Sequence, residues 1–584
     1  MSRSNLPPVL SLLYTHNPFY LLSAGLFVYG LKLLFRAGNS AVLFSQGSVA
    51  YMEPWGLLGS FMGVTLLMSV TAILIVRLGK VWEDARSLIL IALLMLLAIA
   101  VSMDELISLL SDKDNSRQHL LLMFACGTGF ALSISEVLLR GLQIRLSWLY
   151  RGPLYLLLSL FFLWPALLLP EVTNFSAEQT RWLVAAFPTA AGIICLLLIP
   201  AIRRSSASVQ HNGTPWQWPW FPWTPFVFLG AAVCFRAYSL TMSYDAIPYR
   251  GHFWDTSFGL YMLAPFLLAI ITVLLEIGIV ERLPRLINGS LLAAPLLLLI
   301  AYPWWVPWSR LPLYTTFTLQ VVQHAASPVF LVLMGLLAFY LWAALRGVRR
   351  AELGVTAILT AATFIGPRAF GNEIWQLNSV NLQLWPLLAV GVFELAMAIR
   401  RRRGLDLLLA ACAFAGILLI GIQRTSLTPG WQRFVISHLP FVVVLMVGML
   451  SWDSVTEFLR RLGAPMVSAT TLACCLQLSN RLHHGWLVIP YLLLSTVVAI
   501  GLWRFWQAKS YLIIAILQGS LMTVGGLIGG VIVFLRMRTA EGIKPVILGA
   551  SCFLIAVIIT LLKAGLARRI RCCLLSRRLQ PEND

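Results

Sequence analysis

A chain of 584 residues that is 59% hydrophobic and 11% charged, with a mean hydropathy of +0.84, is excluded from the water-soluble globular class, whose members carry about 25% charged residues. Its helices have too little polar face for water, so the chain must be dissolved in lipid. The formal net charge of +20 comes from 43 Lys+Arg against 23 Asp+Glu. Because the basic residues lie mainly in short connections between apolar runs, they orient helices, and nucleic acid is not an expected partner.

In chain order, the opening "MSRSNLPPVLSLLYTHNPFYLL" has no small-residue cleavage site, so insertion is expected to rest on uncleaved helices. A helix crosses the hydrocarbon layer in about 20 residues. Apolar runs of that size centre near Leu26, Leu67, Met95, Phe130, Phe161, Ile193, Gly230, Leu268, Leu296, Leu336, Ala361, Val390, Phe414, Val443, Leu472, Leu494, Gly525 and Ile555. The fold class is therefore all-α, a polytopic membrane bundle of about 18 helices, or about 16 if the broken runs near Ala361 and Leu472 fail to span. No soluble domain separates the runs, and 1–584 reads as a single membrane-embedded domain.

Charge sets an orientation. With both termini cytoplasmic, most Lys and Arg fall on the cytoplasmic side, in "RGLQIRLSWLYR" from Arg140, "RGVRR" from Arg346, "RRRRG" from Arg400 and the basic tail 568–584. The discordant loop is "RMRTAEGIK" after Leu535. The indole-rich "WQWPWFPW" is expected to anchor at the headgroups, and "SWDSVTEFLRRLG" to form a short amphipathic helix on the membrane surface. "VGGLIGG" (Val524 to Gly530) has the small-x-x-x-small spacing that lets a neighbouring helix approach closely.

Few residues carry chemistry. Of the nine cysteines, Cys126, Cys195, Cys234, Cys412, Cys474, Cys475 and Cys552 lie in apolar runs as packing residues. There is no C-x-x-C, P-loop, H-E-x-x-H or G-x-S-x-G, and neither cofactor nor metal is expected. Glu136, Glu276 and Glu394 lie near cytoplasmic helix ends, within reach of arginines.

Arg236 is different. It sits near the middle of the run from Pro225 to Ser243, too deep to snorkel, and a guanidinium cannot shed its proton. It needs a partner or a wet cavity, and Asp104 and Glu105 in "AVSMDELISLL" are the expected carboxylates. Both a structural ion pair and an anion-binding arginine fit this position. Beyond it come Asp245, Arg250, His252 and Asp255, interleaved with Tyr244, Tyr249 and Trp254. Other outer connections offer Glu53, His324, Arg368, Glu373, His438, His483 and His484.

Taken together, Arg236, Asp104, Glu105, Asp245, Arg250, His252, Trp254, Arg368 and Glu373 form the expected substrate-binding set. The expected function is a plasma (inner) membrane transporter or flippase for an anionic or lipid-linked substrate. One alternative is a membrane-embedded transferase or ligase using Asp245, His252, Glu373 or His324 as a general base on lipid-linked saccharides at the outer face. A scaffold within an envelope complex is the other.

Overall fold

A computed structural model describes residues 19–34, 49–79, 82–110, 116–169, 175–204, 222–245, 247–248, 254–302, 311–368, 383–450, 453–481, 485–536, 548–553 and 555–556. The chain divides into two compact units, Met1–Val390 and Gly391–Asp584.

The first unit contains α1 (Phe19–Leu34), α2 (Val49–Leu74), α3 (Trp82–Leu110), α4 (Ser116–Gly141), α5 (Trp148–Leu167), α6 (Ala177–Leu196), α7 (Leu198–Arg204) and α8 (Trp223–Tyr244). A two-residue antiparallel pairing follows, β1 (Ile247–Pro248) with β2 (Trp254–Asp255), in the register Ile247 to Asp255. Then come α9 (Ala264–Val280), α10 (Pro284–Ala293), α11 (Leu297–Ala301), α12 (Pro312–His324), α13 (Pro328–Leu345) and α14 (Arg349–Phe364). Helix α15 (Leu384–Arg401) leads into the second unit, which holds α16 (Gly404–Gln423), α17 (Pro429–Leu450), α18 (Ser454–Leu476), α19 (Val488–Trp506) and α20 (Lys509–Arg536). In both units many helices adjacent in sequence pack side by side, such as α2 with α3 and α19 with α20, while α8 packs on α6 and α3.

Among the described residues, 14 helical segments are long and apolar enough to cross a membrane. Each coincides with one of the apolar runs read from the sequence, including the one near Leu472. The runs near Leu26, Ala361, Val390 and Ile555 are not among them. Helix α1 has the required composition only over Leu22–Leu31, α14 is 16 residues long, α15 carries Glu394, Arg400 and Arg401, and the chain around Ile555 is described only in part. The protein is a polytopic membrane helical bundle.

Two local expectations change. "SWDSVTEFLRRLG" is not a separate surface helix: from Ser454 it runs unbroken into α18. Among the described residues the glycine pattern in α20 seats no neighbour, since a Cβ at Gly525, Gly526 or Gly529 would meet nothing within 4 Å. In the connection after Tyr302, Phe317 and Val321 of α12 pack on Met262 beside Trp182.

The proline break at Pro295 is repaired by a side chain. Pro295 has no N–H for the carbonyl of Leu291, four residues earlier, and residues 294–296 tighten into a 3-10 turn. The Tyr340 hydroxyl of α13 donates to that carbonyl at 2.7 Å, so the Leu291 acceptor is not left unpaired in the apolar interior. Tyr340→Phe is expected to cost about 1–2 kcal/mol, because it leaves a desolvated acceptor alone; thermal unfolding in detergent measures it.

In the second unit Asp453 caps α18. Its carboxylate accepts from the amides of Thr456 at 3.1 Å and Gly404 at 2.6 Å, tying α16 to the start of α18. Partial burial works against its charged form, but these hydrogen bonds outweigh that and hold its carboxyl below the usual carboxylate range. The contribution is therefore complete above the unfolded-chain value of about 4 and fades as pH falls through the lower folded value. Asp453→Ala is expected to cost about 1 kcal/mol at pH 7, and the gap to wild type should close in acid, as unfolding curves across pH would show.

Candidate functional site

Arg236, at 1% exposure, is among the largest fully buried side chains of the first unit. It faces Asp104 of α3, itself 8% exposed. One guanidinium nitrogen, Nη2, donates to Asp104 Oδ1 at 2.8 Å, and Nη1 donates to Oδ2. This two-point clamp suits the planar guanidinium and makes the pair neutral overall. The sequence expectation of an acidic partner for Arg236 thus finds Asp104. Glu105 follows on the same helix, but its side chain lies outside the described residues.

Asp104 and Arg236 use different atoms of their environment. Arg236 Nε is buried and has no hydrogen-bond partner, and the same holds for Ser102 Oγ on α3. Both residues line a cavity of about 460 Å³ between α1, α3, α5 and α8. The rest of its wall is apolar, with Val28, Leu97, Phe161 and Phe228 among the contributors. At its rim, Leu94 is 36% and Phe235 65% exposed, on the surface that these spanning helices turn outward.

The cluster beyond Arg236 is built differently from the pocket mouth the sequence suggests. Asp245 ends α8 and accepts from Arg181 Nε of α6 at 2.7 Å and from the Ser257 amide at 3.2 Å. Arg181 was not singled out in the sequence, although it follows the Ser176–Gln179 capping box that opens α6. Asp255 is 2% exposed, and its Oδ2 accepts from the Leu313 amide at 2.7 Å. A carboxylate there meets the positive end of α12. Its Oδ1 has no hydrogen-bond partner. His324, at the far end of α12, is an exposed residue whose Nδ1 lies 3.0 Å from the Gln320 carbonyl, and Arg368 is exposed in the turn after α14.

Arg250, His252 and Glu373 lie outside the described residues, as do the side chains of Trp254 and Glu53, residues 483–484 and the tail 568–584. The described members of the expected set do not converge: Arg236 and Asp104 meet each other, whereas Asp245 is committed to Arg181.

Two other acidic groups join helices. Glu276 of α9 is fully buried and accepts from Arg203 Nε at 2.7 Å and Arg346 Nη2 at 2.7 Å. Glu136 binds Arg140 at 2.7 Å, Arg151, and the Tyr155 hydroxyl. These arginine partners match the sequence expectation for both glutamates. In the second unit, His438 lies within α17, with Nδ1 2.7 Å from the Phe434 carbonyl and Nε2 2.9 Å from the Tyr491 hydroxyl. Cys474 is buried, as expected of a packing residue, and its Sγ lies 3.2 Å from Ser437 Oγ. Among the described residues, no group of three or more His, Cys, Asp or Glu is placed to hold a metal ion.

Fold and site together define an integral membrane protein of many spans, with a neutralised charge pair at the end of an apolar cavity. Compared with known protein families, curated proteins and solved structures, the chain matches none.

Proposed function

We propose that this protein is a transporter or flippase that moves a lipid-linked substrate across the bilayer, with both chain ends in the cytoplasm. The observation that carries the reading is the Arg236–Asp104 pair, buried among spanning helices at the end of a cavity that opens on their outward surface. Charges inside a membrane bundle are costly and characteristically mark substrate or ion pathways. Of the two substrate classes the sequence suggests, the lipid-linked one is favoured over a free anion. An anion would have to displace a carboxylate already clamped at two points.

The transferase reading is less well supported. Of its expected bases, Asp245 is held by Arg181 and a backbone amide, and His324 stands exposed with its Nδ1 on the Gln320 carbonyl of its own helix.

The test uses purified protein in liposomes carrying fluorescent lipid analogues, with movement read by chemical quenching of the outer leaflet. Removing one charge alone would confound transport with stability, so the informative variant is Arg236→Met together with Asp104→Leu, which leaves no charge unpaired. Wild-type protein is expected to move lipid, and the folded double variant to lose at least about tenfold in rate, as for loss of an interaction worth 1.4 kcal/mol. Lipid movement at the wild-type rate in that variant, or none in the wild type, would refute the reading.

A further inference from the structure

The cavity beside Arg236 has a chemical signature narrower than "lipid". We infer that it holds the ester-linked acyl chain of a glycerolipid, with the ester carbonyl oxygen accepting from Arg236 Nε and Ser102 Oγ. This extends the transport reading by naming the occupant.

Size and access come first. At about 460 Å³, the cavity falls within the ~300–1,000 Å³ of small-molecule sites. Exposed Phe235 and Leu94 form its rim, on helices whose outward surface is bathed in acyl chains. An occupant therefore enters sideways from the bilayer, and an apolar wall between spanning helices accepts a hydrocarbon chain.

The polar end selects the chemistry. A buried serine in a helix ordinarily satisfies itself on the carbonyl four residues back. Thr65, Ser69, Thr128 and Ser135 do so at 2.7 to 2.8 Å in neighbouring spans. Ser102 does not, and its hydroxyl is left buried without a partner. Arg236 likewise spends Nη1 and Nη2 on Asp104 and keeps Nε–H unused. A desolvated donor left unpaired is costly, and here the two residues that carry such donors line one cavity.

The partner they await is an uncharged acceptor. Asp104 already cancels the guanidinium charge, so a phosphate or free carboxylate would add an uncompensated negative charge in a low-dielectric site. That argues against a polyprenyl phosphate or a fatty acid as occupant. A carbonyl oxygen offers two lone pairs and brings no proton of its own, whereas an alcohol would add a donor among apolar walls. Among membrane lipids, the acyl ester of a glycerolipid places such an oxygen at the head of a long chain.

The experiment is photolabelling of the intact protein in nanodiscs. Three probes carry a diazirine on the chain: an ester-linked phosphatidylcholine, its ether-linked analogue, and a polyprenyl phosphate. The ester probe is expected to label peptides within 94–102 and 228–236, about fivefold more than the ether probe, the factor of one neutral hydrogen bond. Ser102→Ala is expected to reduce that preference, and Ala232→Trp or Ala98→Phe to block labelling by filling the cavity. Equal labelling by ester and ether probes in the wild type would overturn the inference, as would preferential labelling by the polyprenyl phosphate. So would ester labelling that survives the filling variants. Because the ester–ether comparison needs no variant, a misfolded mutant cannot rescue the idea. The readout also needs no transport: lost labelling with intact lipid movement sinks only the occupant, and the reverse sinks only the transport reading.

Discussion

Asp104→Ala is expected to destabilise the first unit by about 3–5 kcal/mol, the cost of leaving one member of a buried ion pair alone. It should be the more damaging of the two single substitutions. With Asp104 gone, Arg236 remains charged at 1% exposure, since a guanidinium cannot be deprotonated in a protein. With Arg236 gone, the remaining carboxyl can take up a proton and become neutral. Arg236→Met with Asp104→Leu should recover most of the loss, because apolar side chains of similar size replace a buried pair at little cost. Reversible unfolding in mixed micelles of wild type, Asp104→Leu, Arg236→Met and the double variant gives all four corners of the cycle. Additive single effects would mean that the two side chains do not act as a pair.

Removing Arg203 and Arg346 together is expected to cost about 3–5 kcal/mol, more than their single substitutions sum to. Glu276 between them is fully buried, whereas the arginine side chains are 39% and 32% exposed. Losing either arginine leaves the carboxylate one clamp, so each single change to alanine should cost about 1–2 kcal/mol. Losing both strands the glutamate without a cation. Glu276→Leu should be milder than the double arginine variant, because the freed guanidinium groups can turn toward water along their stems. Thermal unfolding of the four variants measures the non-additivity. This clamp joins α7, α9 and α13, and it answers a need readable in the sequence: a glutamate in an apolar run must find a cation.

Much of the architecture is legible without coordinates because membrane helices satisfy their own backbone hydrogen bonds. Length and hydropathy then mark where a span can form, and all 14 helical segments long and apolar enough to cross a membrane coincide with apolar runs read from the sequence. Legibility fails where charge and hydropathy compete, as in α15 with Glu394, Arg400 and Arg401, and where a short helix is held by its neighbours. Helix α12 is such a case: its 13 residues are too few to register as a span, and its start is fixed by the carboxylate of Asp255, far back in the chain. The small-residue pattern of α20 fails for a related reason. It states what a helix permits, and none of the described residues comes close to Gly525, Gly526 or Gly529.

At the site, the sequence by itself determined that Arg236 lies deep in a spanning helix and must be compensated, because burying a permanent charge in lipid is prohibitive. It narrowed the partner to Asp104 or Glu105 but could not choose, since adjacent residues on a helix point about 100° apart and only packing decides which faces α8. Tertiary structure made that choice across 132 positions of sequence. It also committed Asp245 to Arg181 and left the donors of Ser102 and Arg236 unused beside an apolar cavity. Those decisions are invisible in any window of sequence, because a hydrogen bond between helices depends on which faces meet.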